Sequence, residues 1–275
     1  MTSESRTSPI PREHGAWAML LQPFLGALIV LHRLSWAVAP ALAAVVLVFL
    51  LREPLIVLAR QKWIWRNPHP ETAVARRYLW TELALLAVAG AALLVAWPLP
   101  ITAILGGGAA ILTMLAVYMT VKNRQRSLWL HALSAAGLSA SGLAACLSVT
   151  PTVPAWAWWF WAMHAAHFLA TILVVHARLE ARIVARKPEM HVSPALHALR
   201  RDAALVSGAL LLAALLIAVR HPWYAAALAL SEASHLYDLS TMRTPAALAL
   251  PMMTVGKRAL AVSIAFTLLA IVGSY

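Results

Sequence analysis

The chain has 275 residues, of which 62% are hydrophobic and only 12% charged, with a mean hydropathy of +0.76. A soluble domain carries about 25% charged residues, so lipid must solvate much of this surface, and the length leaves no room for a separate soluble domain. The formal net charge of +12 would suit a nucleic-acid binder, but the basic residues sit in short loops between apolar runs, a pattern that encodes membrane topology and excludes nucleic acid as the partner.

Nine apolar segments follow in chain order: 14–32, 37–58, 78–97, 101–120, 128–149, 156–177, 203–219, 223–240 and 257–274. Most reach the ~20 residues that a bilayer crossing needs. The expected fold is therefore all-α, a polytopic membrane helical bundle of about nine transmembrane helices in a single domain, 1–275. The first segment lacks a small-residue cleavage site and reads as an anchor. The eighth is interrupted by Ser231, Glu232, Ser234, His235 and Asp238, and Pro245 to Val255 reads as an extra interfacial piece. With the N-terminus in the cytoplasm, 19 of the 22 basic residues fall inside, among them Arg6, Arg12, Arg66, Arg126, Lys187 and Arg243; Arg33, Arg52 and Arg220 are the exceptions. The loops at 97–100 and 150–154 carry no charge, and Trp156, Trp158, Trp159 and Trp161 form an interfacial aromatic belt. Cys146, the one cysteine, lies in an apolar run and reads as a structural thiol.

Two cytoplasmic stretches resemble each other. Arg52-Glu53-Pro54-Leu55-Ile56-Val57-Leu58-Ala59-Arg60 is followed by Arg76-Arg77; Arg178-Leu179-Glu180-Ala181-Arg182-Ile183-Val184-Ala185-Arg186 is followed by Arg200-Arg201. Each ends an apolar segment, the second and the sixth. The expectation is a pair of related four-helix halves, about 14–120 and 128–240, with a last helix at about 257–274. Parallel duplication often places a ligand site between the halves. Charges at membrane depth are costly unless paired or wetted. Arg52, Arg60, Arg178, Arg182 and Arg186 are thus candidates for binding an anion, with Glu53 and Glu180 orienting the guanidiniums. In the sixth segment His164, His167, Thr171, Arg178 and Arg182 share one face at helical spacing and should look into the bundle. His164 and His167 have a two-ligand metal spacing without a third ligand, so no metal site is assigned. Glu82 is placed either against Arg76 and Arg77 or in the same cavity, and Gly106-Gly107-Gly108 permits close packing or a kink.

Pro11-Arg12-Glu13-His14-Gly15-Ala16-Trp17-Ala18-Met19-Leu20, with Arg52-Glu53-Pro54-Leu55, resembles the YwiC-like family of bacterial membrane proteins. That resemblance adds His14 and Trp17 to the site and implies a bacterial cytoplasmic (inner) membrane. The architecture is also similar to the UbiA-type intramembrane prenyltransferases, whose polar motifs follow helices two and six. In those proteins Asp-rich motifs bind Mg²⁺-diphosphate. Here Asp202 and Asp238 are the two aspartates, neither in an Asp-x-x-x-Asp arrangement, and Glu53 and Glu180 each stand alone. Lone glutamates among arginines make a poor Mg²⁺ cage. The leading expectation is a membrane protein that binds an isoprenoid or other anionic amphiphile in a cytoplasm-facing Arg/Glu-lined cavity, with or without prenyl transfer. The alternatives are a haem or redox component using His14, His131, His164 or His167 as ligands, and an anion transporter. No cofactor is assigned, and catalysis is left open.

Overall fold

The computed structural model describes residues 14–65, 67, 69–124, 127–186, 194–242 and 244–275. The expectations placed on Arg6, Arg12, Arg66, Arg126, Lys187, Arg243, the 11–13 part of the first motif and the side chain of His14 lie outside the described residues. Among the described residues eleven helices follow one another: α1 His14–Leu31, α2 Val38–Trp63, α3 Glu71–Ala96, α4 Leu99–Val121, α5 Leu128–Ser139, α6 Ser141–Leu147, α7 Ala155–Ala185, α8 Pro194–Ile217, α9 Pro222–Thr241, α10 Pro245–Ala249 and α11 Met252–Val272. There is no strand among the described residues.

Each of the nine apolar segments falls on one of these helices, except that 128–149 is broken at Ala140 into α5 and α6. Ser139 on the α5 side donates its hydroxyl to the Ala135 carbonyl (2.7 Å), a back-bond that bends a helix. Among the described residues five spans are long and apolar enough to cross a membrane: α2, α3, α4, α5–α6 together, and α11; Gly15–Leu31 is apolar but shorter. The remaining long helices, α7, α8 and α9, have 31, 24 and 20 residues. They extend about 46, 36 and 30 Å at 1.5 Å per residue, but polar side chains lower the apolarity of α7 and α9.

The helices form two unequal parts. α1, α6, α7, α9 and α11 pack around Phe24, Leu143, Phe160, Met163, Leu228 and Phe266. Here Gly26 lets α1 and α7 touch: an added Cβ would lie 2.7 Å from the Phe160 ring. Gly142 likewise admits the Pro23 carbonyl, at 3.0 Å from its would-be Cβ. In the second part, α2 lies against both α3 and α4, which turn most of their own surface outward. In its most apolar stretch α4 is only 6% buried and α3 17%. At Gly106, Gly107 and Gly108 an added Cβ meets nothing within 4 Å, so the triplet does not serve close packing as its sequence had suggested. Pro23 and Pro54 lie inside α1 and α2 and cannot donate to the carbonyls of Met19 and Leu50.

One end of the bundle collects the basic residues. Arg178 of α7, Asp238 of α9 and Arg258 of α11 meet there, and Arg200 of α8 donates to the Met242 carbonyl (3.1 Å). The ends of α2 and α4 join them, through Ile56, Val117 and Val121. The opposite end is tied by Ser35 to the Ser148 carbonyl, by Tyr275 to His32 and by Tyr224 to Ser274.

Candidate functional site

Between the two parts lies a cavity of about 1780 Å³. Its walls are mostly apolar: Val45, Val48, Leu86, Leu93, Leu105, Leu138 and Phe168 among them. Arg52, Glu53, Arg60, Thr120, His131, His176 and Lys257 also line it. These polar residues come from the last part of α2, α4 and α7 and the first part of α5 and α11, the end of the bundle that gathers the basic residues. The far end of the cavity, at Ala41, Ala44, Leu93, Trp97 and Leu105, is apolar except for Thr102. A long apolar chamber with cations at one end fits an amphiphile with an anionic head.

The sequence-predicted residues divide. Arg52, Glu53 and Arg60 line the cavity, with Arg52 and Glu53 3.9 Å apart. Trp17 meets Phe49 edge-on, ring centroids 5.0 Å apart, beside wall residues Ala16, Ala18 and Met19. Glu82 is buried in α3, its Oε2 without a hydrogen-bond partner among the described residues, and is outside the cavity lining. Arg178 does not line the cavity either. It is 2% exposed, 3.8 Å from Asp238, and it donates to the Ala247 carbonyl of α10. It borders a separate crevice of about 20 Å³, which shares Thr171, Val175, Val255 and Ala259 with the cavity wall. Glu180 and Arg182 are half-buried and Arg186 is exposed. The two Arg/Glu stretches therefore share one end of the molecule, but only the first brings its charged residues to the cavity: the second contributes Leu179 to the wall, while Arg178 is held by Asp238.

The α7 stripe faces the bundle interior and meets a set of partners. The His167 Nδ1 lies 2.7 Å from Ser231 Oγ, and its Nε2 lies 3.1 Å from Ser263 Oγ. Ser263 donates to Gln22 Oε1 (2.6 Å). The His164 Nε2 lies 3.2 Å from Thr267, and its Nδ1 donates to the Phe160 carbonyl at 2.9 Å. His235 Nδ1 lies 3.0 Å from Glu232 Oε2, and its Nε2 3.2 Å from Thr171. Sequence reasoning missed Gln22, Ser263, Thr267 and the role of α9. The polar interruption of the eighth segment was the available signal, because Ser231, His235 and Asp238 recur at helical spacing and mark an inward face. His176 of α7 also lines the cavity, its ring 4.5 Å from that of His131. Among the described residues no group of three or more His, Cys, Asp or Glu is placed to hold a metal ion.

Apolar helices of spanning length, a chamber between them and buried polar pairs define a multi-pass integral membrane protein. The profile of the family described as YwiC-like protein matches residues 10–149, and the chain belongs to that family. No curated protein matches it, and no solved structure does.

Proposed function

We propose that the protein binds an anionic amphiphile of the isoprenoid or phospholipid kind, its head against Arg52, Arg60 and Lys257 and its chain in the apolar part of the cavity. The observation that carries this reading is the polarity gradient along the cavity, with its cations at the end where the bundle's basic residues gather. Glu53, 3.9 Å from Arg52, orients that guanidinium. The reading includes a bacterial cytoplasmic membrane, a cytoplasmic N-terminus and nine spans, and the one-sided distribution of basic residues supports it. It also includes a UbiA-like pair of halves, supported by a shared packing habit: α2 lies on α3 and α4, and α7 lies on α8 and α9.

Native mass spectrometry of the detergent-purified protein tests the binding. The added probes are phosphatidylglycerol, phosphatidylcholine of matched chain length and a polyprenyl phosphate. The anionic probes should bind about tenfold more tightly than phosphatidylcholine, a difference of about 1.4 kcal/mol. Arg52→Gln combined with Lys257→Gln should abolish that preference. Equal binding of all three probes, or a preference that survives the double substitution, would refute the proposal. The polyprenyl phosphate separates an isoprenoid site from a general anionic-lipid site.

A further inference from the structure

We infer that Glu232, Ser231, His167 and His235 form a proton-exchange site inside the bundle, holding one mobile proton that reaches solvent at the basic end. Hydrogen-bond bookkeeping leads there. Ser263 donates to Gln22 Oε1, which can only accept, and Thr171 donates to the His167 carbonyl (2.9 Å), which also can only accept. Each hydroxyl has one proton, so Ser263 and Thr171 must accept from the imidazoles they face. His167 and His235 therefore both carry a proton on Nε2.

Their Nδ1 atoms then face each other across three gaps. These are His167 Nδ1 to Ser231 Oγ at 2.7 Å, Ser231 Oγ to Glu232 Oε1 at 3.3 Å, and Glu232 Oε2 to His235 Nδ1 at 3.0 Å. Ser231 brings one proton. An ionised carboxylate fully buried at this depth is costly, so the neutral cluster holds one proton more. Two protons serve three gaps, and one gap is always empty. The longest, at Ser231 and Glu232, is where the vacancy rests. Transfer is balanced: a turn of the carboxyl brings its O–H from the His235 side to Ser231 and moves the vacancy to the His235 gap, and Glu232 then gives that proton to Ser231 while Ser231 gives its own to His167. The products are a Glu232 carboxylate and a His167 imidazolium, and the reverse step restores the start.

The route outward runs through His235. It lines the 20 Å³ crevice with Thr171, Ser234, Arg178 and Asp238 on one hand and four valines and Ala259 on the other, a space with room for one water held by the polar group. The groups facing the cluster are His164 and Arg178 from α7, Gln22 from α1, Asp238 from α9, and Arg258, Ser263 and Thr267 from α11; α8, which packs on α7 and α9, buries Ser207 on its inner side. Arg178, Asp238 and Arg258 together carry a net positive charge. The inference does not depend on what occupies the cavity.

The test is nitrogen NMR of ¹⁵N-histidine-labelled full-length protein in phosphatidylglycerol/phosphatidylcholine vesicles, titrated from about pH 5 to pH 9. His167→Gln and His235→Gln assign the two imidazoles. Both should show protonated Nε2 and an averaged Nδ1 signal, intermediate between protonated and bare nitrogen. Glu232→Gln should collapse both Nδ1 signals to fixed values. Ser231→Ala, a smaller change that keeps the fold if Glu232→Gln does not, should fix His167 alone and leave His235 averaged. Fixed Nδ1 signals in the parent protein, or averaging that survives both substitutions, would overturn the inference.

Discussion

α7 and α4 are both longer than a bilayer crossing requires, and they are held in place differently. α4 buries only Val117, Thr120 and Val121, and most of its remaining side chains face the cavity or stand exposed on the apolar surface. α7 buries His164, His167 and Arg178 among its apolar neighbours, and each is matched by a side chain of another helix. Lipid is as apolar as leucine, so burying apolar surface does little to hold helices together inside a bilayer. Close packing and interhelical hydrogen bonds do that, and the side-chain hydrogen bonds are concentrated in the α1, α7, α9 and α11 part. The lesson is a division of labour, with one part fixed by keyed contacts and the other left compliant around a chamber.

The comparison can be broken by substitution, with thermal unfolding of the purified protein in nanodiscs as the measurement. The largest effect is expected at Asp238→Ala, which leaves the buried Arg178 without its counter-charge and should cost about 3 kcal/mol. A loss below about 1 kcal/mol would mean that the Ala247 carbonyl and solvent satisfy Arg178 unaided. Next comes Gly26→Ala, whose methyl would press on the Phe160 ring and should cost about 2 kcal/mol. Ser263→Ala removes the acceptor of His167 Nε2 and should cost about 1 kcal/mol. The smallest effect belongs to the other part. Gly107→Ala has open space for its methyl and a better helix former in place of glycine, so it should stabilise by about 0.5 kcal/mol. A marked loss at Gly107 would show that α4 packs against something in the bilayer.

How much of this was legible beforehand follows from what hydropathy measures. Apolar runs located the helices because lipid selects them, yet α2 runs on to Trp63, α7 to Ala185, and α8 begins at Pro194. Hydropathy reads where lipid ends, whereas the backbone ladder continues through Arg60, Arg182 and Arg200 into water. The inward stripe of α7 was legible because 3.6-residue spacing places His164, His167 and Arg178 on one face. Their partners were not, since nothing local ties Gln22 to Ser263 or Arg178 to Asp238; those pairings come from tertiary packing. The resemblance of the two Arg/Glu stretches was legible too, but not that Arg178 would be neutralised by Asp238 while Arg52 kept its place at the chamber.

The thin outer wall of the cavity has a mechanical consequence. Most of the apolar stretch of α4 is exposed, so in a bilayer acyl chains would press on its outer face while α2 and α5 hold its inner one. The chamber is then partly a property of the bilayer: thinner or more loosely packed lipid widens it, and stiff lipid narrows it. A hydrophobic guest can enter sideways between helices, straight from the leaflet, without crossing water.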